Sequence, residues 1–117
     1  TNPNNYRSIR FADVLLMAAE AHNKNGNDGV ARNYLNRVRS RAGLADSSAS
    51  GTDLENVIYA ERRLELVGEG HQFFDAVRTG RAVQEIDGFV PGKHELFPIP
   101  EIEILLTGNR WQQNPNY

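Results

Sequence analysis

A chain of 117 residues and 13.1 kDa is enough for one domain or a piece of a larger one. With 39% hydrophobic and 24% charged residues, the composition is globular and excludes a disordered chain. A net charge of −2 gives no electrostatic ground for binding nucleic acid or anionic lipid, and the absence of cysteine excludes disulfides, thiolate zinc sites and thiol nucleophiles.

The opening TNPNNYR lacks the basic and apolar regions of a signal peptide. There is no initiator, Met17 being the sole methionine, so the chain is expected to be processed or a fragment. The longest strongly apolar stretch, Val14 to Ala19, is far too short to cross a bilayer.

In chain order, residues 1–6 read as an asparagine-rich lead-in. A first helix is expected from about Ser8 to Asn25. Between Phe11 and Ala21 only Asp13 and Glu20 are polar, and a helix that apolar all round is normally buried on several sides. In NKNGNDG, Gly26 suits a left-handed C-terminal cap, and Asp28 suits the cap of the next helix. That second helix, about Asp28 to Ala42, has Ala31, Tyr34, Leu35, Val38 and Ala42 on one stripe and Arg32, Arg37, Arg39 and Arg41 on the other face.

After the small-residue loop ADSSASG, Thr52-Asp53-Leu54-Glu55 has the capping-box pattern, predicting a third helix to about Val67. A short fourth helix is expected over Gln72–Arg78. Residues 79–93 are glycine-rich, with a helical turn near Ala82–Ile86. ELFPIP reads as extended, because each residue before a proline is pushed away from helix. A last short helix follows Pro100, and NRWQQNPNY reads as irregular. The fold class is all-α: a helical hairpin, further packed helices and a long irregular C-terminal segment.

The stretch ERRLELVGEGHQFFDAVR carries the most chemistry. On a helical wheel Leu54, Val57, Ile58, Ala60, Leu64 and Val67 share one arc, and Glu61 and Glu65 fall inside it. Core-facing carboxylates must be paired or protonated. Arginines are plentiful: Arg62, Arg78, Arg7, Arg10 and Arg39. The expectation is a partly buried network joining helices one, three and four, built from Glu20, Glu61, Arg62, Arg63, Glu65, Asp75 and Arg78. Glu61 and Glu65 lie close enough for a glycosidase-like carboxylate pair, but that chemistry needs an open sugar site between an acid and a second carboxylate. The structural network is the stronger reading, since guanidinium satisfies carboxylate bidentately.

No catalytic residue, metal site or cofactor is expected. HELFP has Pro98 where a zincin needs its second His. His22, His71 and His94 are scattered. A calcium-loop reading of NKNGNDG fails at Asp28 and Tyr34. GFVPGKH lacks P-loop spacing, and there is no Gly-x-Ser-x-Gly elbow. Trp111, with Asn109 and Arg110 beside it, is the one set suited to stacking on a sugar and hydrogen-bonding its hydroxyls, although an anchor for the tail is the plainer role. Phe73 and Phe74 are expected in the core.

Taken in order, RFADVLLMAAEAHNKNGN, ARNYLNRVRSRAGL, ERRLELVGEGHQFFDAVRTG, LFPIPEIEI and NPNY resemble the C-terminal part of SusD/RagB proteins, from Tyr6 to Tyr117. The resemblance implies a glycan-binding lipoprotein of the Bacteroidetes outer membrane, largely helical with a tetratricopeptide-like hairpin, facing outward and not an enzyme. It implies a lid over a SusC-like TonB-dependent transporter that captures oligosaccharides for nutrient uptake and polysaccharide utilisation. Membrane attachment would run through a lipid anchor absent from these residues. The resemblance assigns Glu20, Glu61, Arg62, Arg63, Glu65 and Asp75 to scaffold and places the known sugar contacts elsewhere in the family's proteins. His71-Gln72 departs from the pattern, where members often carry arginine, and is expected to rewire one ion pair. The alternative is a freestanding helical module that binds a protein or peptide in a groove.

Overall fold

The structure, a computed structural model, describes residues 8–108 and 110–117. Arg7 and Asn109, both named above, lie outside the described residues, as does the lead-in. Among the described residues there are six helices and no strand, so the fold is all-α. The chain divides into two compact units, one ending at His71 and the other spanning Gln72–Tyr117.

The first unit holds α1 (Phe11–Lys24), α2 (Asp28–Arg41) and α3 (Gly51–Glu65). α1 and α2 form a helical hairpin across a three-residue turn. Gly26, at φ 74°, lets the turn close: its N–H donates to the Asn23 carbonyl, and that of Asn27 to the His22 carbonyl. These bonds use the carbonyls that a helix end leaves without partners. Gly43 ends α2 in the same way, with Gly43 N–H to Ser40 and Leu44 N–H to Arg39. The core is one cluster drawn from all three helices: Leu15, Leu16 and Ala19, then Ala31, Leu35 and Val38, then Leu54 and Ile58.

α1 is buried on one side only. Leu15, Leu16 and Ala19 face the core, while Phe11, Val14 and Met17 are exposed within these residues. The expected burial on several sides is therefore not met inside this unit.

The start of α3 also differs from its expected form. The helix begins at Gly51 with Ser50 as its cap residue, whose own side chain makes no capping bond. Thr52 is already inside the first turn, so the capping box does not form. Its work is done from α2. The Asp28 carboxylate accepts the Gly51 N–H at 2.6 Å and a bond from the Asn23 amide at 2.9 Å, while the same amide donates to the Gly51 carbonyl at 3.0 Å. Asp28 thus sits in the first turn of α2 and serves α3, in place of the expected cap on α2, where Asn27 is the cap residue.

Residues 44–50 run along α2 as a strap. Arg39 Nε donates to the Ala45 carbonyl, Arg32 to that of Ala49, and Asn36 both accepts the Ser47 N–H and donates to the Ser47 carbonyl. The polar face of α2 therefore replaces the hydrogen-bond partners that irregular backbone lacks.

The second unit contains most of α4 (His71–Arg78), α5 (Ala82–Glu85), α6 (Glu101–Leu106) and long irregular stretches. Residues 97–100 are irregular, as the prolines require, and Pro100 leads into α6 at φ −54°, ψ 133°.

The buried stripe of α3 runs through Leu54, Ile58, Glu61 and Arg62, not through Leu64 and Val67, which are 70% and 78% exposed. In this chain Ile58→Ala should cost about 2–5 kcal/mol, whereas Leu64→Ala should stay within about 0.5 kcal/mol. Urea midpoints for the two variants test that assignment, and equal losses would reverse it.

Candidate functional site

Two arrangements concentrate chemistry. The first lies in the α1–α3 unit and is built of ion pairs. Arg62 donates to Asp13 at 2.7 Å, with the side chains 4% and 6% exposed. Arg39, on α2, donates to Glu61 at 2.8 Å. Glu65 receives two guanidinium groups: Arg10, just before α1, at 2.8 Å, and Arg41 near the end of α2. Arg10 goes further. Its Nη2 donates to the Glu65 backbone carbonyl at 2.7 Å, capping the C-terminal end of α3, and its Nε bonds both oxygens of Glu69.

Among the residues expected in one network, the structure brings together Glu61, Arg62 and Glu65 through partners on α1 and α2. Asp75 is buried and pairs with Arg78 within α4 at 2.8 Å. Glu20 is half-buried on α1, and Arg63 lies on the exposed side of α3. Three members were missed, Asp13, Arg41 and Glu69. Asp13 is one of only two polar residues in an otherwise apolar helical run, which was the available signal. Arg41 sat among the α2 arginines without being assigned a partner.

The pairs around Arg10 shift the protonation of their members. Burial pushes the Glu65 carboxyl up, but hydrogen bonds from Arg10 and Arg41 outweigh it and hold the group below its ordinary value of 4.5. The Arg10 bond also lowers Glu69. The Arg10 guanidinium, bonded to Glu69 and Glu65, is held still more firmly protonated. Asp28 is lowered by the Gly51 N–H and the Asn23 amide, and Glu95 by the Gly92 N–H. Glu65 is therefore ionised at neutral pH and committed to two arginines, while Glu61 is 5% exposed. Glu65, held ionised, is not the raised-pKa acid that glycoside hydrolysis requires, and Glu61 is closed off from an open sugar site by burial and its pairing with Arg39.

The second arrangement lies in the Gln72–Tyr117 unit. An open cavity of roughly 380 Å³ is lined by aromatic rings: Phe73 from α4, Phe89, His94, Phe97 and Tyr117, together with Leu96 and residues 86–88. The centroid of Phe73 is 6.4 Å from those of both Phe89 and Phe97, and Phe89 meets His94 edge-on at 5.8 Å. Phe73 thus lines a cavity instead of filling a core, and Phe74, 64% exposed, is not core either. The Val90 N–H donates to His94 Nδ1 at 3.0 Å, which leaves the other ring nitrogen to carry the proton of a neutral imidazole.

Trp111 and Arg110 do not line this cavity. Both are exposed, the indole to 54%, so Trp111 is not the expected anchor. Gln113, Asn114, Asn116 and Tyr117 hold the tail instead. Among the described residues no group of His, Asp and Glu is arranged to hold a metal ion, and no helix is long and apolar enough to cross a membrane.

Comparison with known proteins agrees along nearly all of the chain. Residues 1–92 match the model of the SusD family. SusD-like protein P2 of Formosa agariphila is 34% identical over 131 aligned positions, covering 97% of this chain and 26% of that protein. SusD-like protein P38 of the same organism is 40% identical over 87, covering 65% and 17%. The crystal structure of a SusD homolog from Bacteroides thetaiotaomicron superposes with TM-score 0.83 at 33% identity, covering 92% of this chain and 25% of that one. A SusD-like protein from Bacteroides fragilis superposes with TM-score 0.86 at 27% identity, covering 97% and 26%. The chain spans about a quarter of the length of these fuller relatives.

Two predictions follow the ion pairs. Asp13→Ala removes one carboxylate partner of a buried guanidinium and should lower stability by about 1–3 kcal/mol, read from urea unfolding. The second concerns pH. Asp28, Glu65, Glu69 and Glu95 all sit below their ordinary values of 3.8 and 4.5 when folded. The unfolded chain then binds more protons in the acid range, so the stability they contribute is complete above about pH 5 and drains as pH falls through and below 4.5. Urea midpoints should be level from neutral pH to about pH 5 and fall below it, with a shallower fall in Glu65→Gln.

Proposed function

This chain belongs to the SusD family, and from that premise we propose that it is the C-terminal helical segment of a larger, non-catalytic glycan-binding lipoprotein. The whole protein would face outward from the bacterial outer membrane, capture oligosaccharides and deliver them to a SusC-like TonB-dependent transporter. The 117 residues would serve mainly as scaffold. The observation that carries the reading is a match in sequence and in fold running through nearly the whole chain at once.

The chemistry supports the scaffold role. The carboxylates that a hydrolase would need are committed to arginines, and their pairs tie α3 to α1 and α2. The exposed apolar side chains of α1, Phe11, Val14 and Met17, also suit a helical hairpin over which further helices stack. That same face is what a freestanding module would offer a peptide helix, so the second reading has one observation in its favour.

Intact mass separates the two. Native protein recovered from membranes of the source cells, with antibody to this chain, should weigh several times 13.1 kDa and carry an N-terminal acyl group. A soluble species near 13.1 kDa would sink the proposal in favour of the freestanding module. In the whole protein, Glu61→Ala should lower the unfolding midpoint while leaving glycan affinity unchanged. An unchanged midpoint with altered affinity would remove Glu61 from the scaffold.

A further inference from the structure

Among the residues lining the aromatic cavity, Phe73 alone stands on a helix. Tyr117 arrives on a segment with no regular structure, and that segment also holds the loop bearing His94, Leu96 and Phe97. Three of its side chains donate to three loop carbonyls: Asn114 to Phe97 at 2.6 Å, Asn116 to Gly92 at 2.9 Å and the Tyr117 hydroxyl to Leu96 at 2.9 Å. Gln113 pairs with Ile99 in both directions, accepting its N–H at 2.7 Å and donating to its carbonyl at 2.8 Å. Side chains here do what a neighbouring strand does elsewhere.

We propose that residues 113–117 are a reversible latch on the loop 88–99, and that undocking the latch opens the aromatic cavity. The bonds from Asn114, Asn116 and Tyr117 lie at the exposed surface, so water can replace each without stranding a buried polar group. The apolar tie is a single ring, Tyr117, itself 45% exposed with the Lys93 ammonium 4.8 Å from its centroid. Asn116 holds φ 66°, a left-handed backbone that a non-glycine residue adopts at a cost, and undocking relieves it. Apart from the part-buried Gln113–Ile99 pair, the ties are exposed hydrogen bonds with few buried apolar contacts, which mark a segment that opens below the global unfolding threshold. Opening removes the Tyr117 wall and frees the loop carrying Gly88, Phe89, His94, Leu96 and Phe97, while Phe73 stays on α4. This inference stands on local geometry and does not depend on the proposed glycan role.

Hydrogen exchange of the full-length protein tests it. The Ile99 N–H, bonded to Gln113, is the direct reporter. In Asn116→Ala/Tyr117→Phe, which keeps the ring but removes two bonds, exchange across residues 88–99 should rise roughly tenfold, with residues 11–65 unchanged. Emission of the apolar dye 1-anilinonaphthalene-8-sulfonate should rise with it. Asn116→Gly separates bond from backbone: it keeps the left-handed turn but loses the Gly92 contact, and should also speed exchange. Unchanged exchange at 88–99, a rise spread equally over the whole chain, or faster local exchange without added dye emission would each overturn the latch.

Discussion

The pairing of Arg62 with Asp13, buried on both sides, is the constraint on which the three-helix unit turns. A lone guanidinium or carboxylate taken from water costs several kcal/mol, so each group holds the other in place, and with it the register of α3 against α1. The inward stripe of α3 changes character along its length. Leu54 and Ile58 join the apolar cluster, then Glu61, Arg62 and Glu65 meet charged partners. The helix is packed on hydrocarbon at its N-terminal half and pinned by directional ion pairs at its C-terminal half. Arginine suits this position because its planar fork bonds a carboxylate and a backbone carbonyl together, as Arg10 does with Glu65.

A second regularity concerns backbone outside the helices. Each unit has a long irregular segment and, among the described residues, no strand to satisfy it. Both use asparagine, glutamine or arginine side chains as substitute partners. In the first unit these come from one face of α2, with residues 32, 36 and 39 about a helical turn apart. That spacing keeps the strap straight and close. In the second unit they come from a segment itself without regular structure. The same chemistry therefore works from donors on a helix in one unit and from donors on irregular backbone in the other.

What the sequence made legible follows from these ranges. Helix ends set by local geometry were readable, since Gly26 and Gly43 act within a few residues of themselves. The inward placement of Glu61 and Glu65 was also readable, because they continue the stripe of Leu54 and Ile58. Leu64 and Val67 were assigned to that face wrongly: a wheel weighted by hydrophobicity cannot see that arginines on α2 draw the acidic side inward. The cap on α3 was hidden because Asp28 lies 23 residues from Gly51. NPNY was visible as a motif, but its bonds end on main-chain carbonyls 17 to 24 residues back, which no side-chain pattern records.

The ion pairs also decide how the acidic residues bear on function. An acid–base pair needs two environments that push two carboxyls apart, one protonated and one ionised. Around Glu65 every nearby cation favours ionisation, and burial, which alone would raise the group, is outweighed. Glu61 is closed off with Arg39 against it. Two carboxylates one helical turn apart thus become fastenings because guanidinium groups arrive first. Under the proposed function, recognition would come from surfaces where polar groups and rings remain exposed, with the α1–α3 unit as scaffold.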